Sequence, residues 1–365
     1  MRDVIVAGAF PPPVTGMSKN NEIIAADLAR LARVRRVDLS PRTLTRSPGY
    51  HLARVLKALR GCLTIARNGW RRDPFLYIAA DGGWGLAYTA ALVLTARVFR
   101  HGVCVHHRSF ATIDHPSWLM RAVVALAGRD ARHVFLCAAM QRRFLECYPR
   151  ARHALVSSNA RHTPAQDAGA RPASFPIAIG LLSNLGRDKG LHVFLDLMRG
   201  CVERGLPVTG VLAGPPDTRE DEAAITAAQR GLAGLAYLGP LYGAERERFY
   251  RALDVFVFPT TYVNEAQPNV LFEAMSCGAA VISFARGCVA EDVTPACGLV
   301  VPVGEDFVAA ALERLAHWSA QRDELRAAQA AAAARLAALH AAAAGDYARF
   351  LQAVSGVDPD ARAPA

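Results

Sequence analysis

The stretch from Asp254 to Ser283, DVFVFPTTYVNEAQPNVLFEAMSCGAAVIS, constrains this chain more than any other. Val255 to Phe258 is a short, unbroken apolar run, the pattern of a buried strand. Pro259 ends it, and Thr260 to Pro268 is polar and turn-prone. Asn269 has the chemistry of a helix N-cap. Val270 to Cys277 then predicts a short helix that Gly278 stops. Ala279 to Phe284 is a second buried run. Strand, loop, helix, strand is the unit from which α/β folds are built.

Two carboxylates frame the loop of this unit, Glu265 before the helix and Glu273 inside it. The opening N–H groups of the helix, at Val270 and Leu271, are expected to point back at the loop. A helix start of this kind holds anions, phosphate above all. Glu273 is then placed to accept hydrogen bonds from hydroxyls on one side of the phosphate, and Glu265 on the other. A phosphate flanked by two polyols describes a nucleotide sugar. The spacing Glu-x7-Glu is common by chance, so the surrounding residues must carry the argument.

A chain of 365 residues is long enough for two domains with full cores. The most apolar window, Leu86 to Phe99, is too short to span a bilayer and contains Arg97. The chain runs from its first residues into a strand, so no signal peptide is expected. The eight cysteines form no C-x-x-C pair and stand beside no His cluster at metal spacing. They read as small core residues of a reduced cytosol, not as disulfides or zinc ligands. Charge is uneven: residues 1–170 hold 25 Lys and Arg against 10 Asp and Glu, whereas the remainder holds 17 against 22. A basic first half suits an anionic membrane face or a lipid pyrophosphate. No nucleic-acid-binding motif accompanies the charge, so nucleic acid is not an expected partner. A coding bias toward Arg is an alternative source of part of the excess.

Along the first half, Asp3 to Ala7 predicts a strand, and Gly8 to Ser18 a loop with three prolines and Gly16. A helix follows from Asn20 to Leu31. This is a Rossmann-like opening without G-x-G-x-x-G, which argues against a nicotinamide enzyme. Further strands are expected at Val34–Leu39, Phe75–Ala79, Val103–Val105 and Val134–Cys137. Tyr50 to Trp70 is a basic helical stretch with Arg54, Lys57, Arg60 and Arg67, suited to lie on anionic headgroups. Asp81 to Gly85 is a Gly-rich loop. His106 and His107 close a strand at the edge where α/β folds build sites. Thr163 to Ser174 reads as a linker.

In the second half, the strand Ile177–Leu182 leads into Ser183-Asn184-Leu185-Gly186-Arg187-Asp188-Lys189-Gly190 and a helix from Leu191. The strands Val208–Ala213 and Leu235–Leu238 end at Gly214 and Gly239. Phe307 to Val354 is helical and Ala-rich. Asp358-Pro359-Asp360 is the only Asp-x-Asp and lies in the tail.

Glu265 to Gly278, with Pro-Asn-Val-Leu inside it and Glu-Ala-Met-x-Cys-Gly at its end, resembles the signature of retaining GT-B glycosyltransferases of family 4, the glycosyl transferases group 1 type. Pro11 to Gly16 resembles that family's Pro-Pro-Pro-x-x-Gly loop, and His106 to Phe110 its His-His-His-Ser-Phe stretch, with Arg108 for the third His. The resemblance implies two Rossmann-like domains facing each other across a cleft. An acceptor-binding domain would span 1–165 and a donor-binding domain 171–340. A helix over 341–355 would return to the first domain through Tyr347, Phe350 and Leu351. It implies an EC 2.4 hexosyltransferase acting on a UDP- or GDP-sugar, without cofactor or metal. The expected acceptor is a glycan or lipid-linked molecule of bacterial surface polysaccharide synthesis. The expected location is the cytoplasm, with a peripheral site on the anionic inner membrane.

By the same resemblance, Glu273 holds the ribose and Glu265 the sugar hydroxyls. Asn269, Val270 and Leu271 hold sugar or phosphate, and Lys189 stabilises the leaving diphosphate. Gly214 and the Leu238 backbone lie by the base, Gly16 lets the backbone approach the donor, and His107 contacts the sugar or acceptor. Asn184 stands where the family has Arg, and Arg187 is the candidate to replace that cation. A GT-B epimerase or an inactive sugar-nucleotide-binding protein are the alternative functions.

Overall fold

The computed structural model describes residues 1–13, 15–40, 48–164 and 175–358, the side chains of residues 48 and 49 excepted. Val14, most of the expected linker and the Asp-x-Asp beyond Asp358 lie outside them. The chain divides into two compact units, Met1–His162 with Ala342–Ala365, and Thr163–Ala341.

The first unit is a six-stranded parallel sheet. Its strands are β1 (Asp3–Gly8), β2 (Arg33–Asp38), β3 (Pro74–Ala79), β4 (Gly102–His106), β5 (Arg132–Phe135) and β6 (His153–Val156), in spatial order β2-β1-β3-β4-β5-β6. Val4, Val6, Phe75 and Tyr77 are buried because helices cover a parallel sheet on both faces. β2 alternates in another way, with Arg33, Arg35 and Arg36 exposed, as an edge strand permits. Tyr347, Phe350, Leu351 and Val354, from the end of the helix Arg322–Ser355, join Val4, Val6, Ile24, Leu28, Phe75 and Tyr77 in one apolar cluster.

The second unit repeats the plan with β7 (Ile177–Leu182), β8 (Val208–Ala213), β9 (Leu235–Tyr237), β10 (Val255–Phe258), β11 (Ala280–Phe284) and β12 (Gly298–Val301). Their order is β12-β11-β10-β7-β8-β9, again all parallel. β10 and β11 are buried at every position, as their unbroken apolar runs predict. In both sheets β-strand order reverses direction next to the first strand, and β7 and β10 are adjacent. Ligand crevices in open α/β sheets lie outside the carboxyl ends at such points.

Cys104, Cys201, Cys277 and Cys297 are buried free thiols, as small core residues, and Cys62 and Cys147 are free and partly buried. Among the described residues no helix is long and apolar enough to cross a membrane.

Candidate active site

Four loops at the carboxyl ends of the second unit's strands are stitched together by backbone bonds. After β7, Leu185 N–H donates to Pro215 O at 2.7 Å, and Asp217 N–H donates back to Leu185 O at 3.0 Å. Gly214 N–H donates to Gly239 O at 2.8 Å, joining the loops after β8 and β9. Thr261 N–H donates to Asp188 O at 2.8 Å, joining those after β7 and β10. Gly214 has φ +118°, and a Cβ there would sit 1.7 Å from Ser183 O, so only glycine allows this approach.

This stitching brings Lys189 against Glu265, Nζ to Oε2 2.7 Å, and places the ammonium 4.2 Å from the Tyr262 ring centre. Two residues 76 apart, named from sequence for one site, therefore meet. Both side chains stay partly open to solvent. The Glu265 loop is fixed from behind. Arg286 donates from Nε to Tyr262 O (3.1 Å) and from Nη2 to Val263 O (2.8 Å). Gln267 Nε2 donates to both oxygens of Asp292 at 3.0 Å. Burial pushes the Asp292 carboxyl up to about 7, opposed by the Gln267 bond.

The helix that follows is Asn269–Ser276, with Pro268 in the capping position and no side-chain cap. Asn269 is thus the first helical residue rather than the N-cap. Leu271 N–H points back at the loop, as the sequence suggested, but donates to Pro268 O at 3.2 Å, and its side chain is buried. Asn269 and Val270 remain at the helix entrance, half-buried. Glu273 accepts from Tyr250 Oη at 3.0 Å and forms an ion pair with Arg246. Tyr250 and Arg246 belong to the helix Gly243–Ala252 and escaped the sequence reading. They carry no motif, and only their i, i+4 spacing on one helix face marks them as a pair. Burial, then the Glu273 charge, raises the Tyr250 phenol well above its ordinary value, so it stays a donor.

Asn184 and Arg187 sit on the exposed loop after β7. Leu238, just past β9, is 52% exposed, and its N–H donates to Leu212 O at 2.9 Å.

In the first unit, Gly16 is exposed and opens the helix Gly16–Leu31. Thr15 and Ser18 cap that helix reciprocally, Ser18 N–H to Thr15 Oγ1 at 3.1 Å and Thr15 N–H to Ser18 Oγ at 2.8 Å. His107 is a core residue. Its ring lies 5.0 Å from Phe135 and 4.2 Å from Phe144, its Nε2 meets His133 Nδ1 at 3.0 Å, and it is 2% exposed. Burial above all, and then the neighbouring His133 ring, keep the His107 imidazole neutral. The expectation that His107 reaches a substrate is not met by this placement.

Residues 176–317 match a family model described as glycosyl transferases group 1. No curated protein matches the chain significantly. Among solved structures, Anabaena HepE in complex with UDP-glucose is similar, with a TM-score of 0.67 and 17% identity over 95% of this chain and 99% of that one. Sucrose-phosphate synthase from Thermosynechococcus elongatus gives 0.70 and 16% over 98% and 100%. OtsA, without ligand, gives 0.66 and 13% over 98% and 100%. At such identities the likeness is one of architecture: the chain has the α/β GT-B fold of these glycosyltransferase structures.

Proposed function

We propose that this protein is a metal-independent, retaining glycosyltransferase of the family 4 type, moving a sugar from a nucleotide diphosphate sugar to an acceptor hydroxyl. The observation that carries the reading is the Lys189–Glu265 pair, which joins the loops after β7 and β10 of one parallel sheet, with Glu273 held by Tyr250 and Arg246 on the helix that follows the Glu265 loop. The group 1 match over 176–317 covers all three. HepE, with the same fold, was captured with UDP-glucose, which favours a uridine donor.

In this reading Glu273, oriented by Tyr250 and Arg246, accepts from the ribose hydroxyls, and Glu265 from those of the sugar. Lys189 has three donors, of which Glu265 takes one, leaving others for the diphosphate. Asn269 and Val270 add the field of the helix start. The exposed Leu238 and the Gly214 turn take the base, with Asn184 and Arg187 at the rim. As the bond from the anomeric carbon to the phosphate oxygen breaks, negative charge grows on the leaving nucleotide and Lys189 meets it. The acceptor oxygen bonds to the same face of that carbon, and its proton passes to a departing phosphate oxygen.

The acceptor is a lipid-linked or growing surface glycan, and the enzyme works peripherally at an anionic inner-membrane face. The helix Pro48–Asn68 supports this reading. Leu52, Leu56, Leu59 and Leu63 are all exposed on one stripe, beside exposed Arg60 and Arg67. Arg54 and Lys57, counted among the basic residues from sequence, are instead paired with Asp81 and Asp38.

The test is a panel of nucleotide sugars, read by thermal shift and then by release of free nucleotide with and without acceptor extract. Stabilisation by one donor and acceptor-dependent turnover with retained anomeric configuration are expected. An altered sugar nucleotide without acceptor identifies an epimerase, and binding without turnover an inactive protein.

A further inference from the structure

A second polar cluster lies in the first unit, at the carboxyl ends of β3 and β4. Tyr77 Oη is 2.7 Å from His106 Nδ1, and Arg108 Nη2 donates to Tyr77 Oη at 3.3 Å. The phenol has one proton. Burial raises its pKa to about 12 against the pull of Arg108, so it keeps that proton and gives it to His106 Nδ1. This assigns the His106 proton to Nε2. His106 itself is neutral, held down by burial and then by the Arg108 charge.

The bonds that remain unmet are then of one kind. Arg108 Nε, Arg108 Nη1 and His106 Nε2 are buried without partners, and all three are N–H donors. Arg108 is 7% exposed and His106 1%. Among the described residues no carboxylate pairs with Arg108. A buried guanidinium without a counter-ion is strongly unfavourable, and each unpaired donor adds to that cost. The surroundings deepen the demand for negative charge. His162 is lowered to about 3 by burial, then by Arg108, Arg161 and Lys19. Asp27 accepts from Tyr347 Oη at 2.8 Å and pairs with Arg30 at 3.1 Å, so its charge is met elsewhere.

We infer that Arg108 and His106 form an oxyanion subsite in the first unit, and that its ligand is a phosphate group carried by the acceptor. Three buried N–H donors, two of them on a guanidinium, match the three oxygens of a charged phosphate better than the two of a carboxylate. The assignment to the acceptor rests on the glycosyltransferase reading above. The existence of the subsite does not.

The test follows the imidazole resonances of the full-length, ¹⁵N-histidine-labelled protein while inorganic phosphate is added in the presence of saturating UDP. A saturable shift of His106 Nε2 is expected. Arg108→Gln should weaken it about tenfold or more while UDP still binds. Farnesyl phosphate should act at lower concentration than inorganic phosphate, and farnesol should not act. A wild-type His106 signal that never moves would overturn the subsite, whether or not the variant folds. An equal response in Arg108→Gln would overturn it too, as an adventitious ion only. Loss of the shift when UDP is added, or no advantage for farnesyl phosphate, would overturn the assignment to the acceptor. A phosphate response in a protein that does not bind UDP would uphold the subsite and reject the donor site.

Discussion

Lys189 and Glu265 hold each other at 2.7 Å while still partly exposed, so neither is needed to fill the core. Replacing Lys189 by Ala should lower sugar transfer by about two to three orders of magnitude, as loss of a preorganised charge does. The melting temperature should fall modestly, since the pair is partly buried and Glu265 is left without its cation. Circular dichroism melts beside a nucleotide-release assay check both halves, and full activity in the variant removes Lys189 from the site. Glu273→Gln keeps the shape and a Tyr250 acceptor but drops the charge facing Arg246. Calorimetry should show UDP affinity falling about tenfold or more. Gly214→Ala should be lost to stability rather than chemistry, by more than about 1 kcal/mol, because its Cβ collides with Ser183 O at positive φ. Glu265, Glu273 and Lys189 were legible because each stands in a dense motif. Arg246 and Tyr250 were not, because their role comes from a neighbouring helix at 27 and 23 residues' distance from Glu273. His107 misled because a strand end marks an edge of the sheet without saying which side chain the packing will enclose.

At the level of elements, β10, the helix Asn269–Ser276 and β11 could be read directly, since strands buried on both faces leave unbroken apolar runs. β2 could be read only through its position, because an edge strand exposes three arginines and loses that signature. The helix Pro48–Asn68 was legible as basic, but the pattern alone did not tell which face is covered. Its uncovered leucines lead to a direct expectation. Leu56→Glu with Leu59→Glu should abolish sedimentation with vesicles of anionic phospholipid, with little loss of stability because both side chains are already exposed. Unchanged co-sedimentation would remove this helix from the membrane contact.

For the whole molecule, the two units answer acid in opposite senses. In the first, burial lowers His133 to about 4 and His162 to about 3, and His106 and His107 fall well below the ordinary imidazole value. Below about pH 6.5 the unfolded chain takes up protons that this folded unit refuses, so its stability is lost as pH falls. In the second, Asp292 keeps its proton up to about 7 when folded but ionises near 3.8 when unfolded. Stability there is lost as pH rises through that window. Hydrogen exchange between pH 7 and pH 5 should show protection falling in the first unit and rising in the second, and Asp292→Asn should flatten the latter. Movement in the same direction in both would contradict this linkage. The helix Arg322–Ser355 adds a constraint on synthesis. The first unit's apolar cluster contains Phe350 and Val354, so the sheet built from residues 3–156 waits for residues translated well after its own strands. A fragment stopping at His162 would therefore lack part of its own interior, and premature termination near residue 340 should strand the N-terminal sheet as a target for proteolysis.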